Sequence, residues 1–164
     1  RSTLSSSSAA SDVYKRQVMD FISAIKSGFS NYANFSGRAS RSEYWYWTLF
    51  AVIVSLGARF IDPILGVYIV QPTELSAGTG LLAGLAGIAL VIPGLAMVWR
   101  RLHDVDKSGA WFFIIFTCVG AIVLLVWYVT KGTAGPNRFG PDPLGSGEAL
   151  PEPPTSDDGP TLEA

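Results

Sequence analysis

The stretch Leu81–Trp99, LLAGLAGIALVIPGLAMVW, decides the fold, because its 19 consecutive residues carry no charge. Two further runs are similar: Tyr44–Ile61 contains one charged residue, Arg59, and Ala110–Thr130 contains none. At 1.5 Å rise per residue, helices of these lengths cover about 27–31 Å, the thickness of the hydrocarbon core of a bilayer. The sequence therefore predicts an all-α, small polytopic membrane protein with three transmembrane helices.

Composition divides the chain into four parts. Residues 1–18 are serine-rich, lack the apolar core of an export signal and contain SDVYKRQ, which resembles translated vector or adaptor sequence. We therefore expect a non-native extension there and a native start at Met19. Residues 19–43 form an amphipathic cytoplasmic or interfacial segment, and residues 44–130 form the three-helix transmembrane domain. Residues 131–164 are rich in Gly, Pro and acidic residues, which predicts a disordered C-terminal tail.

The distribution of Lys and Arg predicts the orientation. The first connection, residues 62–80, contains neither residue type. Basic residues are retained on the cytoplasmic side of a membrane, so we expect the N-terminus and the second connection in the cytoplasm. Three crossings then place the tail outside. The residues that carry this argument are Lys26, Arg38 and Arg41 before the first span, and Arg100, Arg101 and Lys107 in the second connection.

Two local patterns describe how the chain enters the first span. Phe21, Ile22, Ile25, Phe29 and Tyr32 share one face of a short helix, which either lies on the inner leaflet or packs against cytoplasmic loops. Ser40 with Glu43 three residues later has the form of a capping box, which predicts a helix start near Arg41.

Small residues mark the second span as a packing helix. GxxxG spacing allows close helix contact, and Pro followed by Gly predicts an interruption with a kink. The pattern fits packing against the other spans of the same chain, and it also fits a dimer face or a hinge. The residues are Gly80, Ala83, Gly84, Gly87 and Pro93.

The densest polar cluster is RRLHD, residues 100–104, which contains the only histidine of the chain, His103. Neither an HExxH nor a GxSxG pattern is present, so we predict no catalytic residues, no metal ligands and no cofactor. Arginine binds phosphate with two parallel hydrogen bonds, so the cluster either contacts anionic lipid or only enforces topology. For Arg59, near the end of the first span, we expect a structural pair with Asp62.

Three motifs in order, FSGRASRSEYWYW from Phe35, WRRLHDVDKSGAW from Trp99 and GTAGPNRFGPDP from Gly132, resemble the bacterial inner-membrane family called domain of unknown function 805. The resemblance covers residues 19–144. It implies a bacterial inner (plasma) membrane location and brings no reaction or substrate. Glu43 is expected to pair with Arg100 or Arg101, and the tail motif fits poorly, because a tail outside the membrane cannot reach that cluster. The motif positions expected to matter are Gly37, Arg38, Arg41, Glu43, Arg100, Arg101, His103, Asp104, Gly109, Asn137 and Gly140.

These patterns predict a non-enzymatic membrane protein with a binding or interaction role. Its basic cytoplasmic face is expected to contact anionic membrane lipids or a membrane-protein partner, including a second copy in a homo-oligomer, and no nucleic acid. The alternative is a small transporter or channel component that acts as an oligomer, because three apolar spans offer few groups to line a pore. The candidate lipid or partner contacts are Arg38, Arg41, Glu43, Arg100, Arg101, His103 and Asp104.

Overall fold

The computed structural model describes residues 19–73 and 78–145. The expected non-native extension, residues 1–18, and the part of the predicted tail beyond residue 145 lie outside the described residues. The elements in chain order are α1 (Phe21–Ser30), α2 (Arg41–Leu65), β1 (Tyr68–Val70), β2 (Thr79–Gly80), α3 (Leu81–Asp104), a 3-10 helix (Gly109–Phe116) and α4 (Gly120–Val129).

The helices α2 and α3 are both long and apolar enough to cross a membrane. They contain 25 and 24 residues, which gives lengths of about 37 and 36 Å. Within the chain, only 11% and 17% of their most apolar segments are buried. Side chains that point outward include Phe60, Ile64 and Ile88, which are 75%, 82% and 73% exposed. Such a surface requires lipid or another apolar surface beside it.

The start of α2 confirms the prediction near Arg41. The Ser40 hydroxyl accepts a hydrogen bond from the backbone N–H of Glu43 at 3.2 Å, which satisfies one of the free donors in the first turn of the helix. The reciprocal half of a capping box would direct the Glu43 carboxylate back to residue 40. That carboxylate instead binds groups on α1 and α3, as described below.

The two long helices are antiparallel, and the connection between them forms a short hairpin. Ala39, just before α2, donates its N–H to the carbonyl of Arg100 near the end of α3 at 3.0 Å. At the other end, β1 pairs antiparallel with β2, and α3 follows directly. The start of α2 and the end of α3 therefore share one end of the molecule, which we call the polar end.

The prediction of one continuous helix over Ala110–Thr130 is wrong. The region is divided into the eight-residue 3-10 helix and the ten-residue α4, and ten residues of α-helix cover only about 15 Å. The two pieces form a hairpin, because the rings of Trp111 and Trp127 meet with centroids 5.7 Å apart. Thr117 closes the turn between them by accepting the N–H of Gly120 at 3.0 Å.

The prediction of a disordered tail is wrong for the described part of the tail, and so is the expectation that the tail cannot reach the arginine cluster. Because the hairpin returns the chain, residues 131–145 lie at the polar end. They fold locally through a bridge between Asn137 and Gly140 and a 3.1 Å hydrogen bond from the N–H of Gly135 to the Asp142 carboxylate. Their backbone carbonyls accept hydrogen bonds from the buried Arg38, so low apolar content does not prevent this segment from being ordered.

The N-terminal segment contains a helix, α1, which packs on α2 through small residues, and its predicted position at the membrane interface stays a prediction. Ala24 is fully buried, and Gly28 lies so close to Trp47 that a side chain on it would overlap the indole. Asp20 caps the helix by accepting the N–H of Ser23 at 3.1 Å, and this hydrogen bonding lowers the pKa of the Asp20 carboxyl. Ile22, on the face predicted to be apolar, is 55% exposed.

At the end opposite the polar end, Asp62 caps α3. Its carboxylate accepts the N–H groups of Leu82 and Ala83 at 2.8 and 2.9 Å. The expected Arg59–Asp62 pair is therefore wrong, and it is not among the ion pairs of the described residues. Two free N–H groups at a helix start are better placed for a carboxylate than an exposed arginine on the preceding turn.

The small residues of α3 contact other parts of the same chain. A side chain on Gly80 would overlap the Asp62 carboxylate, and one on Gly84 would come within 2.6 Å of Ile69 in β1. Ala83 lines a small cleft that also contains Asp62. Gly87, in contrast, meets no atom within 4 Å. The GxxxG spacing thus serves contacts within the chain at Gly80 and Gly84.

Pro93 does not interrupt α3, contrary to the prediction, because the helix continues from Leu81 to Asp104. Proline has no N–H, so the carbonyl of Ala89, four residues earlier, loses its helical partner. The hydroxyl of Tyr32 donates a hydrogen bond to this carbonyl at 2.8 Å. This bond joins the segment after α1 to the middle of a long apolar helix.

We predict that Tyr32→Phe lowers the free energy of unfolding by about 1–3 kcal/mol, because the Ala89 carbonyl is left without a partner in an apolar environment. In a Pro93→Ala background, residue 93 supplies the missing N–H, so the same substitution is expected to cost much less. Unfolding in mixed micelles measures all four proteins. An equal loss in both backgrounds would contradict the assigned role of the hydroxyl.

We also predict that the N-terminal segment and the tail are reached from the same side of the membrane. Single cysteines replace Ser36, Thr73 or Ser146 in a Cys118→Ser background and are labelled with an impermeant maleimide. Cysteines at 36 and 146 should react from one side, and the cysteine at 73 from the other. If the cysteines at 146 and 73 react from the same side, the result would support the three-span topology instead.

Candidate functional site: a buried arginine and carboxylate cluster at the polar end

Asp104, the last residue of α3, lies at the centre of the polar end. Its Oδ1 accepts a hydrogen bond from Nε of Arg38 at 3.0 Å, and its Oδ2 accepts one from Arg101, one turn earlier on the same helix. The side chains of Arg38, Arg101 and Asp104 are 1%, 0% and 4% exposed. Both oxygens of one buried carboxylate are therefore occupied by arginines.

The remaining donors of Arg38 bind the tail. Its guanidinium donates to the carbonyl of Gly135 at 2.6 Å and to that of Thr133 at 2.5 Å. The N–H of Thr133 in turn donates to the carbonyl of Asp104 at 2.8 Å. A side chain on Gly132 would overlap the Asp104 carboxylate, so a residue without Cβ is required where the tail passes this site.

The remaining donors of Arg101 bind the end of α4. Its Nε and Nη2 donate to the carbonyls of Tyr128 and Trp127, both at 3.3 Å, and Nη2 also donates to that of Thr130. The last carbonyls of a helix have no partner within the helix, and the helix dipole favours a positive charge there. Arg101 thus holds the returning arm of the hairpin against α3.

A second buried ion pair joins the three helices. Nη1 of Arg100, on α3, lies 3.3 Å from Oε1 of Glu43, on α2, which confirms the expectation that Glu43 pairs with one of these arginines. The same carboxylate oxygen accepts the hydroxyl of Ser27, on α1, at 2.7 Å. Nε of Arg100 is buried and has no hydrogen-bond partner among the described residues.

His103 joins the N-terminal segment to the tail. Its Nδ1 lies 3.0 Å from the carbonyl of Gly37, and because a carbonyl only accepts, this nitrogen carries the proton. The imidazole stacks on Phe139, with ring centroids 3.9 Å apart and planes within 2°. The Asn137 side chain donates to the carbonyl of His103 at 2.9 Å. One ring face, Nδ1 and the backbone carbonyl of His103 are thus used for structure.

The cluster carries an unbalanced positive charge. Three guanidinium groups are buried against two carboxylates. Four other basic residues are exposed nearby, of which Arg41 donates to the carbonyl of Val129 at 3.2 Å and Arg138 pairs with exposed Asp106 at 3.1 Å. The exposed set is Arg41, Lys107, Lys131 and Arg138.

The structure buries six of the seven predicted contact residues at the polar end, and five of them form ion pairs. Arg38, His103 and Asp104 hold the tail, Arg101 holds the end of α4, and Glu43 with Arg100 joins the helices. Arg41 lies at the exposed edge. Contact of these residues with lipid or a partner stays a prediction, but burial leaves the guanidinium groups of Arg38, Arg100 and Arg101 engaged within the chain.

Sequence reasoning did not identify the backbone carbonyls that complete the site. The acceptors at Trp127, Tyr128, Thr130, Thr133 and Gly135 belong to residues whose side chains give no signal of this role. One sequence feature did indicate where the tail lies. The third motif of the resemblance contains Asn137 and Gly140, and if all three motifs form one site, the tail must lie at the polar end. Within residues 19–73 and 78–145, no three His, Cys, Asp or Glu residues form a group that could hold a metal ion.

These features define a small helical membrane protein that has two long apolar helices and a buried arginine and carboxylate cluster at one end. The chain belongs to the family described as "Protein of unknown function (DUF805)", whose match covers residues 32–141. The matched region contains both long helices, the hairpin and most of the described tail, and therefore the whole cluster except Ser27.

Two relatives from Escherichia coli strain K12 are similar over most of their length. "Inner membrane protein YhaI" is 42% identical over 124 residues, which cover 75% of this chain and 93% of the relative. "Inner membrane protein YhaH" is 38% identical over 115 residues, which cover 69% of this chain and 89% of the relative. No solved structure matches this chain.

We predict that Arg101→Met lowers the free energy of unfolding by about 3–5 kcal/mol, because it leaves the buried Asp104 carboxylate with one partner fewer and frees the carbonyls of α4. Arg138→Met is the matched control. It removes an arginine from an ion pair whose side chains are 62% and 51% exposed, and such surface pairs contribute about 0–1 kcal/mol. Unfolding in mixed micelles compares the two variants, and equal losses would contradict the structural role of Arg101.

Proposed function

We propose that this chain is an integral protein of the bacterial inner membrane whose polar end lies in the cytoplasm and binds anionic lipid, with no enzymatic activity. Both relatives are named inner membrane proteins, and α2 and α3 have the length and the apolar surface of membrane spans. The binding role rests on the charge of the polar end.

The orientation is supported by the basic residues. The described residues contain nine Lys and Arg, and only Arg59 lies toward the end opposite the polar end. The connection between α2 and α3 contains neither residue type. Basic residues remain on the cytoplasmic side, so two crossings leave the N-terminal segment, the loop after α3 and the tail in the cytoplasm.

The remaining apolar elements fit the inner leaflet. We propose that the hairpin of the 3-10 helix and α4 enters the membrane from the cytoplasmic side and returns, because its turn exposes Phe116 at 83% and Val119 at 68%. We further propose that α1 lies at the interface. The bond from Tyr32 to Ala89, in the middle of α3, supports this position, since a helix packed only on cytoplasmic loops would not reach that depth.

The observation that carries the binding role is the separation of the basic residues into two sets. Arg38, Arg100 and Arg101 are buried and fix the backbone of the polar end. Four others, Arg41, Lys107, Lys131 and Arg138, are exposed around them, and Lys26 is exposed on α1. An exposed basic residue near an anionic leaflet contributes about 1 kcal/mol of attraction, so the exposed set is the one that recognises lipid.

We predict that the purified protein retains phosphatidylglycerol in preference to phosphatidylethanolamine in native mass spectra. Replacement of the four exposed basic residues by Gln should abolish the preference, because their charge is its source. Arg59→Gln, which removes an exposed charge toward the other end, should preserve it. A wild-type protein without preference would contradict lipid binding.

Two other roles can be tested by related measurements: binding of a protein partner, including a second copy of this chain, and transport of a solute. The same native spectra report the number of chains per particle, so a homo-oligomer would be observed directly. A transporter requires a polar path, and the groove between α2 and α3, of about 430 Å³, is lined mainly by apolar residues such as Trp47, Val52 and Val98. Solute flux in liposomes that stops with Arg59→Leu would favour the transporter.

A further inference from the structure

A small cleft at the polar end lies between the tail and the start of α2. Its volume is about 70 Å³, well above the roughly 10–15 Å³ that one water molecule requires. The two exposed basic residues Arg41 and Lys131 line it together with Gly132 and Ala134, and Asp104, Asp142 and Leu144 complete the wall.

The acidic residues of this cleft are already engaged. Both oxygens of Asp104 bind arginines, as described above. The two oxygens of Asp142 accept the N–H groups of Gly135 and Leu144 at 3.1 and 2.9 Å. Around these two carboxylates stand four positive side chains, so the cleft retains a positive charge. The four are Arg38, Arg41, Arg101 and Lys131.

Several residues that line the cleft have donors without an acceptor among the described residues. Lys131 donates no hydrogen bond to any described residue, and of the Arg41 guanidinium only Nη1 is engaged, with the Val129 carbonyl. Among the described residues, the backbone N–H groups of Gly132 and Ala134 also have no acceptor. A positive cleft with unused N–H donors matches the acceptors of a phosphate group.

The position of the cleft along the molecule corresponds to the headgroup level. Arg41 is the first residue of α2, and Lys131 follows α4 by two residues. Trp45, one turn into α2, is 39% exposed, and exposed Trp is typical of the boundary between hydrocarbon and water. Lipid phosphates lie at this boundary.

We propose that the Arg41–Lys131 cleft is a site for one anionic phosphate group, supplied by an anionic membrane lipid. The inference rests on the proposed function and narrows it from a basic surface to a defined site. Arg41 and Lys131 hold the phosphate oxygens from two sides, and the buried Arg38 and Arg101 add positive charge behind them without direct contact.

The test compares two double variants that remove the same charge. Titration calorimetry in detergent measures the binding of short-chain phosphatidylglycerol and, separately, of inorganic phosphate. We expect Arg41→Gln with Lys131→Gln to weaken lipid binding about 10-fold or more, and Lys107→Gln with Arg138→Gln to weaken it less than about 3-fold. Arg41→Lys with Lys131→Arg should retain binding.

The outcomes separate the site from the broader proposal. Equal losses in the two double variants would overturn the site and leave a diffuse basic surface. No binding of the lipid by the wild-type protein would overturn both. If inorganic phosphate binds and the binding depends on Arg41 and Lys131 in the same way, the phosphate site is supported, but its ligand can be a soluble phosphate. Because Arg41 also contacts α4, Lys131→Gln alone is the second variant, and it should weaken binding while the melting temperature is unchanged.

Discussion

The contact of Asp104 with Arg38 and Arg101 determines the arrangement of the polar end. A buried charge without partners is strongly unfavourable, so the carboxylate requires both arginines. Each guanidinium then has donors that the carboxylate cannot accept. These donors bind carbonyls of residues 127–135, at the end of the hairpin and the start of the tail. One acidic residue at the end of α3 thereby fixes the N-terminal segment, the hairpin and the tail.

This dependence on polar contacts follows from the lipid that surrounds the protein. Lipid is as apolar as a leucine side chain, so little hydrophobic driving force brings two helices together within a membrane. The structure agrees, since the buried apolar clusters around Trp47 and Leu102 lie toward the polar end. Elsewhere, hydrogen bonds of Asp62 with the start of α3 and of Tyr32 with Ala89 provide specific contacts between elements.

The sequence predicted the elements whose signals are local. The apolar runs gave α2 and α3, Ser40 marked a helix start, and Glu43 was matched with Arg100. The prediction of a third continuous helix was wrong because hydropathy measures the length of an apolar run and not whether the chain turns back within it. The prediction of a disordered tail was wrong for a different reason. Its order depends on backbone carbonyls accepting from buried arginines, and carbonyls are present at every residue, so no side-chain pattern marks those that are used.

The same limit applies to the candidate site. Among the described residues, eight basic ones lie before the apolar part of α2 or after Trp99, and the sequence alone does not distinguish their roles. Folding separates them, because Arg38, Arg100 and Arg101 are buried among acceptors of the chain itself. A guanidinium that is surrounded by internal acceptors positions backbone, whereas one with unused donors at the surface can bind a ligand. We therefore propose lipid recognition by Arg41 and Lys131 and not by the RRLHD motif, whose arginines hold the backbone near those two residues.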